Sequence, residues 1–195
     1  MSDNASPSSS SVTVLTLGYA GRSMDDFMAL LVAAGVQYVV DVRSYPKSAR
    51  QPEFDRPTIM MEVEAHGMRY LFVGDSLGGR PADDSLYTDG HADYAKIAQA
   101  PPFRESLERI IRGARGGHRI CIVCVERRPE QCHRARLISE QLSEAGVPVA
   151  HIEESPEPTP HSVIRTRFVD AQLSLEGLDT RSDVSRGIYR SATGD

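Results

Sequence analysis

Apolar residues along the chain fall into two patterns, short continuous runs and helical spacings. The run Val12–Leu17 is apolar and β-branched and stops at Gly18, which predicts a buried strand. Residues 23–34 then carry apolar side chains every three or four positions behind Ser23, a good N-terminal cap, and this spacing predicts a helix. The same patterns predict further strands over residues 37–42, 69–73, 119–126 and 147–152, and further helices over residues 55–67, 92–99, 102–114 and 132–146.

Strands and helices therefore alternate along most of the chain. This alternation predicts an α/β fold: a single domain with a mainly parallel five-stranded sheet and helices on both faces, in a Rossmann-like arrangement of three layers. The strands are apolar throughout rather than at every second position, which is typical of strands covered on both sides. Such sheets bind ligands at the carboxyl ends of their strands, so functional residues are expected in the loops there.

The two ends of the chain lack these patterns. Residues 1–11 are serine-rich and are predicted to be a disordered tail, and residues 12–153 form the α/β domain. Residues 154–195 are predicted to be an acidic, proline-rich linker and C-terminal tail, with one docked segment around residues 163–169. The polar stretch over residues 74–91 is predicted to be a long loop.

Composition narrows the class of protein. The 195 residues include 22 Lys and Arg and 27 Asp and Glu, a net charge of −5, so overall charge does not attract the protein to nucleic acid or anionic lipid. No stretch is apolar for the roughly 18 residues that a membrane helix requires, and no signal peptide is recognised. The three cysteines are an odd number for a disulfide framework. We therefore expect a cytoplasmic protein with free thiols and no membrane partner.

Glycines and cations follow the predicted strands where a ligand is expected. Helix N-termini and paired guanidinium donors both favour anions, so these residues predict an anion site. The alternatives are that the glycines only form tight turns, and that Asp41 and Arg43 form a salt bridge that holds a loop. The candidate anion-binding residues are Gly21, Arg22, Asp41, Arg43, Ser44, Lys47, Gly79, Arg80 and Arg134.

Thiols, an imidazole and a carboxylate form a second candidate group. Cys124 and Glu126 lie two apart near a strand end and so share a face, whereas Cys121 points to the opposite face and is predicted to be a core residue. Cys132 and His133 begin the next helix. As neighbours they are not expected to face each other, but His133 can reach Cys124 across the crevice.

Three interpretations of Cys124, Glu126, Cys132 and His133 stay open. In the first, Cys124 or Cys132 is a nucleophile and His133 transfers protons. In the second, Cys124, Cys132 and His133 hold Zn or Fe, although our expectation is that no cofactor is bound. In the third, the cluster is structural and Glu126 pairs with Arg134 or Arg43.

Four motifs resemble one known family. They are Thr16-Leu17-Gly18-Tyr19-Ala20-Gly21-Arg22-Ser23, Val40-Asp41-Val42-Arg43-Ser44-Tyr45-Pro46, Leu77-Gly78-Gly79-Arg80, and Cys124-Val125-Glu126 with Cys132-His133-Arg134. In this order they resemble the bacterial family known as domain of unknown function 488, over about residues 13–152. The first motif of that family usually reads Gly-His-Ser, whereas Tyr19-Ala20 stands there in this chain. The resemblance implies an α/β domain and assigns no activity.

These observations predict a small α/β enzyme that acts on a phosphorylated or nucleotide-like compound, by hydrolysis or group transfer, through a pocket of Arg, His and Cys side chains at the strand ends. Its expected partner is a small anionic molecule. One alternative is a nucleic-acid-associated module without its own chemistry, in which arginines near residues 127–136 track a phosphate backbone. The other is a metal-dependent enzyme that uses the Cys and His ligands.

Overall fold

A six-stranded sheet is the centre of the fold in the computed structural model, which describes residues 12–155 and 157–173. The strands lie in the order β3-β2-β6-β1-β7-β8, of which the first five are parallel and β8 is antiparallel to β7. Their bounds are β1 Val14–Gly18, β2 Tyr38–Asp41, β3 Arg69–Phe72, β6 Ile120–Cys124, β7 Val149–Ile152 and β8 Thr159–Pro160. The predicted fold class, with a mainly parallel sheet in one domain, is confirmed, but the sheet has six strands instead of the predicted five because β8 pairs with β7 as an added edge strand.

Helices connect these strands and cover both faces of the sheet. They are α1 Met24–Ala33, α2 Arg56–Ala65, α3 Gly74–Leu77, α4 Tyr94–Gln99, α5 Pro101–Arg115, α6 Glu140–Glu144 and α7 His161–Leu173. A π-helical turn, Arg134–Ser139, leads directly into α6, and 3₁₀ turns cover Pro52–Phe54, Asp84–Leu86 and Pro129–Gln131. Two short antiparallel strands, β4 Tyr87–Thr88 and β5 His91–Ala92, form a separate hairpin.

Two apolar cores lie on opposite faces of the sheet because each strand sends alternate side chains to each side. On one face, Phe27 of α1 and Ile59 of α2 are fully buried in the same cluster as Cys121. On the other face, Phe103 of α5 lies in one cluster with Cys124. The two cysteines of β6 thus point to opposite faces, as their spacing predicts.

Strand register decides which loops meet at the carboxyl edge. Gly18, the last residue of β1, is opposite Cys124, the last residue of β6. Asp41, the last residue of β2, is opposite Val123. The three strands therefore end side by side, and the loops that follow them meet in one place.

Several segments differ from the expectation. The predicted loop over residues 74–91 contains α3, a 3₁₀ turn and β4, because Val73, Leu77 and Leu86 pack on the core and organise it. Residues 159–173, which were predicted as part of a linker and tail, form β8 and α7. The predicted tails at residues 1–11 and 174–195 lie outside the described residues.

The predicted helix over residues 132–146 begins later than expected. Cys132 is in an extended conformation, with φ −123° and ψ 143°, and the first helical residue is Arg134. The 3₁₀ turn ahead of Cys132 reverses the chain there, so Cys132 is not on the helix. None of the described helices is both long enough and apolar enough to cross a bilayer.

Candidate functional site

A pocket of about 250 Å³ lies at the carboxyl ends of β2 and β6. Its lining comes from the loops after β2, after β3 and after β6, together with α4. The residues that line it are Arg43, Ser44, Tyr45, Lys47, Gly79, Arg80, Tyr94, Cys124, Val125, Glu126, Gln131 and His133. Most of the candidate residues of both groups therefore face one cavity.

Arg43 is held from below the pocket by a buried ion pair. Its Nη2 lies 2.6 Å from Oδ2 of Asp41, and its Nε donates to both carboxylate oxygens of Asp41 at 2.9 and 3.0 Å. Nη1 donates to the carbonyl oxygen of Phe54 at 2.7 Å and to the hydroxyl of Tyr19 at 3.3 Å. The predicted salt bridge between Asp41 and Arg43 is thus present, and it occupies most donors of the guanidinium.

The ion pair of Asp41 and Arg43 shifts the pKa values of the groups around it. Burial by itself lowers the pKa of Arg43, but the hydrogen bonds and charge of Asp41 outweigh it and raise that pKa. The hydroxyl of Tyr70 donates to Asp41 Oδ2 at 2.5 Å, and burial together with the Asp41 charge raises the pKa of Tyr70. Arg43 therefore acts as a fixed cation that braces the end of β2.

The loop after α3 is fitted closely to the pocket wall. The main-chain N–H of Arg80 donates to Ser44 Oγ at 3.0 Å, which joins this loop to the end of β2. At Gly79, an added Cβ would lie 2.8 Å from Cγ and 2.9 Å from Nδ1 of His133. Only glycine lets the loop pass so near the imidazole, which is consequently packed in place.

Two thiols meet the imidazole at the pocket floor: Cys124 and His133 line the pocket, whereas Cys132 lies behind them and does not. His133 Nδ1 lies 3.9 Å from Cys124 Sγ and 3.8 Å from Cys132 Sγ. Cys124 Sγ lies 3.1 Å from Glu126 Oε2, and its one hydrogen can be directed either to this carboxylate or to the Cys132 sulfur. Cys132 approaches His133 despite being its neighbour, because Cys132 lies before the helix in extended backbone. The sequence-based expectation that these neighbours do not face each other is wrong for this reason.

The three ligand atoms of Cys124, Cys132 and His133 all lie within 4.8 Å of one another, so this group is the one among the described residues that could hold a metal ion. All three side chains are buried. The Nε2 atom of His133 is also buried, and no described residue forms a hydrogen bond with it. A buried polar atom without a protein partner is available to a bound molecule.

Proton affinities differ sharply across this group. Burial opposes the charged form of Cys132, but the hydrogen bond from Cys124 and the positive charge of Arg134 lower its pKa well below the ordinary value. The same hydrogen bond and burial raise the pKa of Cys124. Burial disfavours a charge on His133, and the adjacent Cys132 thiolate more than compensates and raises its pKa. These shifts favour loss of a proton at Cys132 and its retention at Cys124 and His133.

Glu126 completes the group from the pocket side. Desolvation of its carboxylate and the charge of Cys132 raise its pKa. The predicted ion pairs of Glu126 with Arg134 or Arg43 are absent among the described residues, because Arg43 pairs with Asp41 and Arg134 binds main-chain oxygens. The interpretation of the cluster as purely structural relied on an ion pair of Glu126 with Arg134 or Arg43, and the described residues do not form it.

Some candidate anion-binding residues do not line the pocket. Arg22 donates to the carbonyl oxygens of Gly18 and Glu153, so it joins two strand ends. Gly21, at φ +73°, forms a turn and donates its N–H to the Gln51 side chain at 3.2 Å. Arg134 is fully buried beneath the thiols. These residues stabilise the loops that carry the site.

Four lining residues lay outside the sequence-based candidates, namely Tyr45, Tyr94, Val125 and Gln131. Tyr94 begins α4, which follows the β4–β5 hairpin and not a strand of the main sheet, so the search along the ends of the main strands could not find it. Gln131 directly precedes the motif Cys132-His133-Arg134, and this neighbouring position is the one sequence signal that could have identified it.

Comparison with known proteins identifies the family. The family model described as "Domain of unknown function DUF488" matches residues 23–141, which is more than half of the chain and includes the residues that line the pocket. No curated protein and no solved structure matches the chain. The chain therefore belongs to the DUF488 family.

Proposed function

We propose that this protein is an enzyme that acts on a phosphorylated or nucleotide-like compound bound in the strand-end pocket. The observation that supports this best is the distribution of charge and reactivity across one cavity. Exposed cations, Lys47 and Arg80, stand at the mouth, whereas Cys124 and His133 are 4% and 9% exposed in the floor. An anion held at the mouth would bring its attached group to the reactive side chains.

The mouth of the pocket suits a phosphate with an attached ring. Lys47 and Arg80 offer N–H donors, and the main chain of Arg80 is held by Ser44. Tyr45, whose side chain is 68% exposed, lies beside them and offers an aromatic surface on which a base could stack. The volume of about 250 Å³ is near the lower end of small-ligand pockets, which begin at roughly 300 Å³. A mononucleotide or a sugar phosphate is of suitable size.

The floor of the pocket suits hydrolysis or group transfer. A thiol, an imidazole and a carboxylate in contact are a set that serves nucleophilic attack and proton transfer. His133 Nε2 has no protein partner and so can exchange a hydrogen bond or a proton with the substrate. Glu126, next to Cys124, is the second group available for proton transfer.

Ligand binding tests this proposal. A panel of nucleotides and sugar phosphates is screened by thermal shift with wild type, Lys47→Ala, Arg80→Ala and the control Arg104→Ala. Arg104 is an exposed arginine on α5 outside the pocket lining. We expect at least one ligand whose affinity falls about tenfold, or about 1.4 kcal/mol, in each pocket variant and is unchanged in the control. Equal shifts in all four proteins, or none with any ligand, would contradict the proposal.

Turnover of the ligand found in this way separates an enzyme from a binding protein. Cys124→Ser keeps the shape of the floor and removes the thiol. We expect this variant to lose hydrolysis or transfer, measured by the products formed. If the wild type binds the ligand and forms no product under conditions that keep the thiols reduced, the protein is a binding module.

The nucleic-acid alternative stays a prediction with less support. Of the arginines expected to track a phosphate backbone, Arg134 is fully buried. Arg127 lies 3.5 Å from Glu154, and Arg136 stacks on the ring of Phe168. The described residues therefore do not present these arginines as a continuous strip. Binding to oligonucleotides that weakens steeply with salt would revive this alternative.

A further inference from the structure

One nitrogen of the buried imidazole lies close to two sulfurs at once. A single atom, His133 Nδ1, lies 3.9 Å from Cys124 Sγ and 3.8 Å from Cys132 Sγ. Nδ1 offers either one hydrogen or one lone pair, so it cannot form a full hydrogen bond with both sulfurs. Equal separations from two sulfurs indicate a position between the three atoms where a further atom would contact all of them.

These separations fit a tetrahedral metal centre. Zn–S and Zn–N bonds of about 2.3 and 2.1 Å at tetrahedral angles place sulfur and nitrogen roughly 3.6 Å apart. The two observed S···N distances exceed this value by only a few tenths of an ångström. All three ligand atoms lie within 4.8 Å of one another, so the protein needs little movement to close around an ion.

The surrounding charge also favours thiolates at this place. Arg134 is fully buried, and it forms no ion pair with any described carboxylate. Its guanidinium donates to Thr16 Oγ1 and to the carbonyl oxygens of Glu126 and Arg127, which are all neutral acceptors. A buried cation of this kind requires a nearby anion. The Arg134 main-chain N–H lies 3.4 Å from Cys132 Sγ, a contact of the kind that supports a coordinating sulfur.

We propose that Cys124, Cys132 and His133 bind a Zn²⁺ ion in the floor of the pocket, with the fourth coordination position open to the cavity. Two sulfurs and one imidazole are borderline to soft ligands, which suit Zn²⁺, whereas Mg²⁺ and Ca²⁺ require oxygen ligands. Three protein ligands with an open fourth position are typical of catalytic rather than structural zinc. Glu126, whose Oε2 lies 3.1 Å from Cys124 Sγ, also lines this cavity.

This site changes the role of the cysteines. Cys124 and Cys132 become metal ligands instead of nucleophiles, and the ion becomes the group that meets the substrate. A catalytic role for the ion depends on the proposed function being correct. The existence of the metal-binding site does not depend on it, because the evidence for the site is the geometry of three side chains. The experiment below therefore measures metal binding without any substrate.

Metal binding is measured on purified full-length protein with reduced thiols. Elemental analysis of the protein as isolated is expected to show about one Zn²⁺ per chain. After removal with a chelator, Co²⁺ is expected to give a sulfur-to-metal charge-transfer band and tetrahedral d–d absorption, and Zn²⁺ is expected to displace it. Reduced wild type that binds neither ion, or that shows octahedral Co²⁺ without sulfur ligation, would overturn the site.

Three variants test the ligands. Cys124→Ser and Cys132→Ser are each expected to weaken Zn²⁺ binding by at least about 100-fold in competition with a chromophoric chelator. Cys121→Ala is the matched control, because Cys121 belongs to the same strand and points to the opposite core. Its Zn²⁺ affinity should equal that of the wild type. Wild-type affinity in both serine variants would refute the assignment, and if they fail to fold, the Co²⁺ spectrum of the wild type decides.

The outcomes for metal and for substrate are distinguishable. Protein that binds Zn²⁺ through the two cysteines and binds no ligand of the nucleotide and sugar-phosphate panel retains the metal site and loses the proposed function. Protein that binds a panel ligand but no Zn²⁺ retains the pocket and loses the metal site.

Discussion

A single glycine controls how the reactive imidazole is held. Gly79 lies against the Cβ, Cγ and Nδ1 atoms of His133, and these are the atoms that set the direction of the ring. The Nδ1 atom is also the one that faces both thiols. The loop after α3 and the cysteine–histidine group are therefore connected through one close contact, and the shape of the loop determines the geometry of the group.

Gly79→Ala is expected to displace the imidazole, because the new Cβ would lie under 3.0 Å from two ring atoms that are buried. The free energy of unfolding should fall by about 1–3 kcal/mol, as for other additions to a packed interior. Zn²⁺ affinity and ligand affinity should fall with it. Chemical denaturation and the chelator competition measure these effects.

Gly113→Ala is the control for this substitution. Gly113 lies within α5, and its added Cβ would meet only the terminal methyl of Ile120, at 3.0 Å. Alanine is also the better helix former, so stability should change little. If both variants behave alike, the contact of Gly79 with His133 has no special role.

Among the secondary-structure elements, helix α7 packs against the α/β domain. It begins at His161, directly after the edge strand β8, and the side chain of its residue Ile164 is fully buried. Arg167 donates to both carboxylate oxygens of Glu153 at 2.6 and 3.1 Å, which ties the helix to the end of β7. The sequence predicted only a docked segment here, since the acidic, proline-rich residues before it resemble a linker.

Ile164→Ala tests whether α7 is docked in solution. Removal of a fully buried side chain should lower the free energy of unfolding by about 2–4 kcal/mol. The neighbouring Val163 is 46% exposed, so Val163→Ala should cost within about 0.5 kcal/mol. Denaturant titration compares the two, and equal small effects would mean that the helix does not pack on the domain.

A chain of hydrogen bonds connects the π-helical turn, β1, β7, α7 and α6. Arg134 Nε donates to Thr16 Oγ1, so the Thr16 hydroxyl can donate to His151 Nδ1, 2.7 Å away. His151 Nε2 then donates to His161 Nδ1 at 2.9 Å, and His161 Nε2 donates to Glu140 at 3.1 Å. Every donor in this direction has one acceptor, which requires a neutral His151.

The stability of the molecule should therefore depend on His151 in mild acid. Burial and the neighbouring His161 lower the pKa of His151 to about 2, whereas the unfolded chain protonates it near 6.5. As the pH falls below 6.5, His151 binds a proton in the unfolded state but stays neutral in the folded state, so the free energy of unfolding decreases. This single group should cost about 1.5 kcal/mol between pH 6.5 and pH 5.

Comparison of wild type with His151→Gln isolates this contribution, because all other titrating groups are common to both proteins. Between pH 6.5 and pH 5, the unfolding free energy of the variant should decrease by about 1.5 kcal/mol less than that of the wild type. Should the variant fail to fold, NMR titration of the wild type gives the same answer. A His151 ring that titrates near pH 6.5 in the folded protein would contradict the expectation.

Local patterns were sufficient for most of the fold. The continuous apolar runs at β1, β2, β6 and β7 are signals of a few neighbouring residues, and the strands are found there. The short edge strand Thr159–Pro160 has no such signal, because it exists only through pairing with Ala150 and His151. Helix α7 likewise depends on burial of Ile164 rather than on a clear apolar periodicity.

The sequence by itself determined the α/β class and which residues stand at the strand ends, because the alternation of strands and helices follows from local apolar patterns. Only the tertiary structure decided where those side chains point. It turns Arg22 and Arg134 inward to carbonyl oxygens, leaves Arg80 at the mouth of the pocket, and lets Cys132 meet His133. The contacts of Arg22 with Glu153, of Arg134 with Thr16 and of His133 with Gly79 join segments more than 50 residues apart, and no local pattern records them.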